Sequence, residues 1–524
     1  MTPGTAPDPT AGPDLVAGPG APATGVSSRE STVVHERLGV RVRSSPRSLV
    51  PVEPLVGLAL RRNPRRAHLL VSTVLAKHVP TVPALAITAG ELLGTVVDLA
   101  LRDDLDDELA GLDAAGRDGR LTQLAARFAA VLDDRDARGE ALTRLRTELA
   151  DLRASLAAIR SPHPEVATLG YAETATGLGR LVADALGSWY LHSTRHDPVG
   201  AVAFGAFEEA HSHATSHRLL PTDPSRLRVG GTVVLVDDEL STGATVVDTI
   251  RDLHARVPQA RWVVAALIDL RGADDRRAFD ELALELDTRV DVVALGDGGI
   301  ELPTDVLARG AEVVAEFAGA STGAGADVVA PGRGEVGEVG GRDEVGAVGE
   351  VVTLDLRGVV EPVRSERFGV DAARERVDAE AVAAALVAAV SRGRTGGHGG
   401  DAPPVVVLGT EEFLSVPLAV AHALDRHLPT RVSSTTRSPI AVLDDRGYAV
   451  ASSVTFRSHD RTVDGPGPRF AYNLTRGGRR ADVVVLMPEP GTDPADLAGP
   501  GGVTSALAAV ADRVVVVLLS AAGA

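Results

Sequence analysis

The sequence predicts an α/β protein made of two parallel-sheet domains, and three observations carry that prediction. Over residues 161–315, short apolar runs (EVATLGYA, SWYLHST, GTVVLVDD, RWVVAALIDL, RVDVVALG) alternate with helix-like segments such as ATVVDTIRDLHAR and RRAFDELALEL. That order builds a mainly parallel sheet through helical crossovers. The pattern returns from about 351 to the end, with strands at VVVLG, TRVSST, ADVVVLM and RVVVVLL. Between the two lies 318–350, biased to Gly, Val and Glu without a period, which reads as a flexible linker.

The other segments follow in order. Residues 1–30 are rich in Pro, Gly and Ala and have little to bury, so disorder is expected. Residues 31–99 carry apolar patches and read as folded. From 100 to 160, Leu and Ala recur at three- and four-residue spacing among charges, the mark of amphipathic helices. This stretch is expected to be a helical insertion serving dimerisation or regulation. The predicted division is a tail (1–30), a first domain (31–317), the linker (318–350) and a second domain (351–524).

Composition narrows the function. Of 524 residues 44% are apolar and only 3% aromatic, so the core must rest on Ala, Val and Leu. A net charge of −18 argues against a sequence-independent grip on nucleic acid. The absence of cysteine excludes disulfides, thiolate metal sites and cysteine nucleophiles. The start of the chain lacks a basic leader, and the longest apolar stretches, 381–390 and 514–519, are shorter than the ~20 residues that span a bilayer. A soluble, cytoplasmic protein without membrane partners is the expectation. Of the 53 basic residues 52 are Arg, so the solitary Lys77 stands out.

The chemistry concentrates in Val233–Thr245, VVLVDDELSTGAT. A buried strand ends in Asp237 and Asp238; a turn through Ser241, Thr242 and Gly243 then enters a helix near Ala244. Unpaired N–H groups and the positive end of a helix dipole make such a turn an anion cradle. Ser241, Thr242 and Thr245 add hydroxyl donors. Carboxylates beside a phosphate cradle suit a diol or a hard cation such as Mg²⁺. The ligand therefore carries a phosphate at one end and a diol in the middle.

This string resembles the signature of type I phosphoribosyltransferases, with Ala244 standing where many members carry a second Gly. The resemblance implies a phosphoribosyltransferase-type parallel sheet flanked by helices. It also implies that Asp237 and Asp238 hold the ribose hydroxyls of phosphoribosyl pyrophosphate and that 241–245 holds its 5′-phosphate. Mg²⁺ would be held by Asp237 and Asp238 through the substrate. Gly170–Gly179, GYAETATGLG, fits the loop for pyrophosphate, with Gly170, Glu173 and Thr174 suited to it; Glu173 is odd beside a polyanion unless it organises Mg²⁺ or water. Arg195 ends the next strand at the same sheet edge and is a candidate for pyrophosphate.

FEEAHSHATSH (207–217) reads as a mobile loop that closes over the substrate, with His211, His213 and His217 able to protonate or bind the leaving group. Asp269 and Arg271 read as a salt-bridged strand end. Lys77, a compact point charge before a Pro stop, would hold pyrophosphate where an Arg does not fit.

Together these blocks resemble the phosphoribosyltransferases found with tellurite-resistance and stress-response gene clusters. Members often carry a C-terminal domain named for a Thr-Arg-Ser-Pro motif, here Thr436–Pro439. The two halves also repeat: TLGYAE (168–173) parallels VLGTEE (407–412), and Arg195 and Arg437 follow at similar distances. The second half lacks the acid pair and the Thr-Gly turn, so it reads as a degenerate copy. On that reading Glu412, Thr436, Arg437, Ser438 and the pair Tyr472–Asn473 bind acceptor or product. The expected activity is Mg²⁺-dependent transfer of a phosphoribosyl group to a small heterocyclic acceptor, with a homodimer compatible with the sequence. A non-catalytic sensor of the same ligand is the competing reading.

Overall fold

The computed structural model describes residues 33–61, 68–105, 119–198, 201–208, 216–320, 348–392, 403–445, 447–459, 467–475 and 479–523. The tail expected to be disordered and most of the expected linker lie outside the described residues.

The first half begins with β1 (Arg41–Ser44), the hairpin β2 (Val56–Leu60) and β3 (His68–Ser72), and helices α1 (Pro83–Leu101), α2 (Arg120–Val131) and α3 (Gly139–Ala157). It continues through β4 (Ala167–Gly170), α4 (Thr176–Leu186), β5 (Trp189–His192) and the hairpin β6 (Gly205–Glu208) with β7 (Ser216–Leu219). Then come β8 (Thr232–Leu240), α5 (Ala244–Arg256), β9 (Arg261–Asp269), α6 (Ala273–Leu286), β10 (Arg289–Glu301) and α7 (Val306–Ala320). The second half opens with β11 (Glu350–Asp355), β12 (Val370–Asp371), α8 (Ala379–Ser391), β13 (Val405–Gly409), α9 (Ser415–Leu424) and β14 (Thr430–Ser434). A hairpin of β15 (Ser453–Arg457) and β16 (Pro468–Tyr472) precedes β17 (Ala481–Met487), two short helices and β18 (Ala511–Leu518).

The first sheet has the order β1-β10-β9-β8-β4-β5-β12, its five inner strands parallel and both edges antiparallel. The second, β11-β18-β17-β13-β14, is parallel throughout. Alternate residues of a strand point to opposite faces, and both faces of these sheets are covered. In the first sheet Val234, Val236, Val263 and Ala265 enter one core while Val233, Leu235, Trp262 and Val264 enter another. The continuous Val runs are thus the signature of strands buried on both sides.

Both sheets share one topology. β4, β5, β8 and β9 lie in the spatial order second-first-third-fourth, as do β13, β14, β17 and β18, each set with an antiparallel hairpin between its second and third strands. The repeat read from the sequence is therefore present in the architecture.

Several expectations need correction. Beyond the expected linker, the halves also interlock. β12, from the second half, caps β5 of the first sheet, and Thr81 of the first half bridges Val432 on β14 of the second. Hairpin β2–β3 likewise accepts backbone bonds from Ala441 and Ala449 at Leu60 and Leu58. The interval 207–217 is partly hairpin, β6 pairing with β7, rather than wholly a loop. Within the insertion, Leu142, Leu145, Leu149, Leu152 and Leu156 of α3 lie in the first domain's core, so this face serves folding, not dimerisation. α3 also ties the halves together, Arg146 gripping Asp425 with two bonds of 2.8 and 2.5 Å. The longest apolar segment is α1, not 381–390 or 514–519. Its length and mean hydropathy of 1.7 would suffice to cross a membrane, yet 89% of that window is buried in the protein.

Leu149 is fully buried, so Leu149→Ala should cost about 2–5 kcal/mol. Denaturant melting of the full chain checks this; a loss under about 1 kcal/mol would show that the insertion stands apart from the core.

Candidate functional site

Ligands of open α/β sheets collect at the carboxyl ends of the strands, where the strand order reverses. Here that point lies between β4 and β8, and the Gly170 loop and the 237–245 segment flank it. β8 runs on to Leu240, past the acid pair, rather than ending in Asp237 and Asp238 as the sequence suggested. Its apolar Val233–Val236 are buried, and Asp237, Asp238 and Glu239 emerge half-buried at the edge. The Asp238 amide donates to Asp237 Oδ1 at 2.9 Å. Burial, and then the charge of Glu239, push the Asp238 carboxyl above its ordinary value, while Lys77 across the crevice opposes the shift.

Ser241 and Thr242 form the turn into α5, which starts at Ala244 as expected. Gly243 has φ +77°, and a Cβ there would sit 2.6 Å from the Phe279 ring. Only glycine satisfies both the left-handed turn and this contact. The first amides of α5 have no acceptor within the helix, the Ala244 N–H making only a 3.4 Å bond to Thr242 Oγ1. Thr245 enters the first turn, its carbonyl accepting from Thr249 Oγ1.

The Gly170 loop lies beside this cradle, the Tyr171 amide donating to Val236 O at 3.1 Å. A Cβ on Gly170 would fall 2.5 Å from the Tyr190 hydroxyl, so the backbone passes where no side chain fits. The following peptide between Ala172 and Glu173 is cis. Lys77 reaches this loop: Nζ donates to Thr174 Oγ1 at 2.9 Å and pairs with Glu173 Oε2 at 3.0 Å, both charges buried. Burial pushes the Glu173 carboxyl up, but Lys77, Arg437 and Arg195 outweigh it and hold it well below the usual carboxylate range. The acid that looked odd beside a polyanion is thus the counterion of a basic cluster. Next to it, burial and the charge of Lys77 lower His78 to a pKa of about 3, so it stays neutral.

Arg195 lies at the end of β5, its guanidinium against His217 Nε2 at 3.2 Å. His217 is buried and its Nδ1 lies 3.0 Å from Ser193 Oγ. His211 and His213 lie outside the described residues. Asp269 and Arg271 form a buried two-bond pair of 3.0 and 2.9 Å, with the Arg271 guanidinium 4.2 Å over the Phe279 ring, as a salt-bridged strand end should.

The residues assigned to a second ligand are engaged in contacts with one another and with the first half. Glu412 accepts from Thr194 Oγ1 at 2.6 Å and from the Arg195 amide at 2.8 Å. Thr436 Oγ1 donates to Glu173 Oε2 at 3.3 Å, and Arg437 pairs with Glu173 at 3.0 Å and Glu411 at 2.7 Å. The Ser438 amide bonds Thr436 Oγ1. Tyr472 and Asn473 meet His78, the ring at 5.9 Å and the Asn473 amide on the His78 carbonyl at 2.9 Å. Apart from Ser438, each of them contacts the first half. Glu411, Arg367, Arg469 and Glu489 complete this buried network and escaped the sequence reading. Glu411 stood next to an acid already singled out, whereas Arg367 reaches Glu412 and Glu489 across 45 and 122 residues, which no local pattern signals.

Comparison with known proteins defines the class. Residues 55–299 match the family model described as phosphoribosyl transferase, and this half is a phosphoribosyltransferase enzyme domain. Residues 364–507 match the TRSP domain found C-terminal to that transferase domain. The chain belongs to the family of phosphoribosyl transferases that carry a C-terminal TRSP domain. No curated protein matches it. Among solved structures it is similar to the adenine phosphoribosyltransferase of Rhodothermus marinus, with 21% identity over 28% of this chain and 79% of that one and a TM-score of 0.20. It is also similar to that of Thermoanaerobacter pseudethanolicus (20% identity, 30% and 81% covered, TM-score 0.19). A third is that of Trypanosoma brucei in complex with AMP, pyrophosphate and ribose-5-phosphate (14% identity, 29% and 68% covered, TM-score 0.21).

Two outcomes follow from the buried charges. Burial raises the Glu412 carboxyl, but His196 and Arg367 outweigh it and hold its pKa at about 2 against an ordinary 4.5. Its contribution is complete above the ordinary value and is lost as pH falls through about 2, on the order of 3 kcal/mol in all. Acid unfolding of Glu412→Gln should show a correspondingly shallower loss between these values. Lys77→Met leaves Glu173 with Arg437, the more distant charge of Arg195 and the Thr436 hydroxyl, and should cost about 3 kcal/mol; thermal melting unchanged from the parent would show that the pair contributes nothing.

Proposed function

We propose that the chain transfers the 5-phosphoribosyl group of phosphoribosyl pyrophosphate to a nucleobase-like heterocycle, releasing pyrophosphate. The observation that carries this reading is the juxtaposition, at one reversal of strand order, of an acid pair, a glycine turn into a helix N-terminus and a basic loop. A sugar cation needs no protein nucleophile, so positioning and charge stabilisation do the work. Asp237 and Asp238 would accept the two ribose hydroxyls. The amides and hydroxyls of 241–245 would hold the 5′-phosphate at the positive end of α5. The pyrophosphate would lie against the Gly170 loop and Arg195, with Lys77 supplying charge from beneath.

The donor set fits Mg²⁺. Asp237, Asp238 and Glu239 are consecutive hard oxygen donors, with the Lys77 ammonium already matched by Glu173. Among the described residues no group of three His or acidic side chains could hold a metal alone. An ion would be held by Asp237 and Asp238 through the substrate's own oxygens. When bound, it would neutralise the departing pyrophosphate. The proposal carries with it a cytoplasmic setting in a stress- or tellurite-linked nucleoside pathway, as the TRSP domain suggests.

A screen of heterocycles for acceptor-dependent pyrophosphate release tests the reading. The parent should turn over with at least one base, and Asp237→Asn/Asp238→Asn should lose about 100-fold or more of that rate. Gly243→Val should weaken binding of ribose 5-phosphate, since its Cβ meets Phe279. Binding of phosphoribosyl pyrophosphate without release for any acceptor would instead establish a sensor.

A further inference from the structure

The two halves do more than share a topology; they clasp each other in a reciprocal way. Strand register makes Gly170 equivalent to Gly409 and Thr194 equivalent to Thr436. The local bonds then match one for one. Ser193 N reaches Gly170 O at 2.9 Å, and Thr435 N reaches Gly409 O at 3.0 Å. Ala172 N bonds Ser193 Oγ at 2.9 Å, and Glu411 N bonds Thr435 Oγ1 at 3.0 Å. Thr194 exchanges backbone bonds with Arg218 of one hairpin, and Thr436 does so with Phe470 of the other.

Across the interface the same positions meet with roles exchanged. Glu412, three residues after Gly409, takes the Thr194 hydroxyl, and Glu173, three residues after Gly170, takes the Thr436 hydroxyl. The edges are exchanged as well: Val370 pairs with Tyr190 on β5, and Thr81 bridges the equivalent Val432 on β14. Residue i meeting j while the equivalent of j meets the equivalent of i is the pattern of a two-fold dimer interface, here within one chain.

The clasp is not symmetric in what it holds. On the transferase side Glu412 fixes both the Thr194 hydroxyl and the Arg195 amide. The second half also sets Lys77, whose carbonyl accepts from Ser433 Oγ at 3.0 Å. We propose that the second half is a built-in partner subunit without a phosphoribosyl site of its own, and that its Glu412 is a positioning residue. It holds the Thr194–Arg195 corner in the geometry that receives pyrophosphate. The assignment of that corner to pyrophosphate rests on the transferase reading above; the positioning itself does not.

The test uses the full-length chain and Glu412→Gln, which offers one acceptor where two bonds need one each. Thr194→Val serves as a second variant that removes only the hydroxyl. Hydrogen exchange reads the positioning directly. The Arg195 amide should exchange at least about tenfold faster in Glu412→Gln while β4 and β8 stay as protected as in the parent. Unchanged exchange at Arg195, or equal acceleration throughout the sheet, would overturn the proposal. Calorimetric titration with Mg²⁺ present reads the consequence. Affinity for pyrophosphate and for phosphoribosyl pyrophosphate should fall about tenfold in both variants, with ribose 5-phosphate within about twofold of the parent. Equal weakening for all three ligands, or none, overturns the role in substrate binding. A parent that binds none of them removes the transferase reading instead, and the exchange result then decides the positioning alone.

Discussion

Two buried carboxylates, Glu173 and Glu412, govern how this molecule is put together. Each is withdrawn from water, which costs several kcal/mol for an isolated ion unless opposing charges and hydrogen bonds replace the lost hydration. Each finds one partner within its own half, Lys77 for Glu173 and Arg367 for Glu412, and the others across the boundary: Arg437 for Glu173, Thr194 and Arg195 for Glu412. Such a network adds little net adhesion, because desolvation offsets most of the Coulombic gain. What it supplies is register, since a shift of either half would strand a charge. Adhesion comes from the apolar contact between the equivalent helices α4 and α9, where Gly177, Leu178 and Leu181 face Leu414 and Leu418.

That register reaches the functional corner directly. The segment bearing Lys77 runs beside β14 and is bonded to it at Thr81 and at the Lys77 carbonyl. Arg195 hangs from Glu412 by its amide. The acid pair and phosphate cradle, by contrast, are built wholly from β8, α5 and the Phe279 contact from α6. One side of the site is local to the first sheet, and the other is set by its partner.

The sequence made the sheets legible because their strands are buried on both faces and so read as unbroken Val, Leu and Ile runs. It made the cradle legible because strand, acids, turn and helix lie within thirteen consecutive residues. Edge strands β1, β11 and β12 and hairpin β2–β3 were missed; they are short or half-exposed, and their pairing is decided by distant segments. The continuation of β8 through Glu239 and Leu240 was missed because polar residues at a strand's end mimic a loop. α1 was passed over as a membrane-length segment because its apolar run is interrupted by Thr, Gly and Glu91.

From the sequence alone followed the α/β class, the repeat, the strand–turn–helix at 233–245 and the singling out of Lys77, since all of these are encoded in contiguous periodicity and residue type. Only the tertiary structure decided what the charged residues are for. Lys77 became the buried partner of Glu173, and Glu412 became a brace for Arg195, not a ligand of its own domain. The reason is physical: a charge's role depends on which opposite charges share its low-dielectric surroundings. For Glu173 and Glu412 those partners lie far along the chain, the nearest of them, Arg367, 45 residues from Glu412.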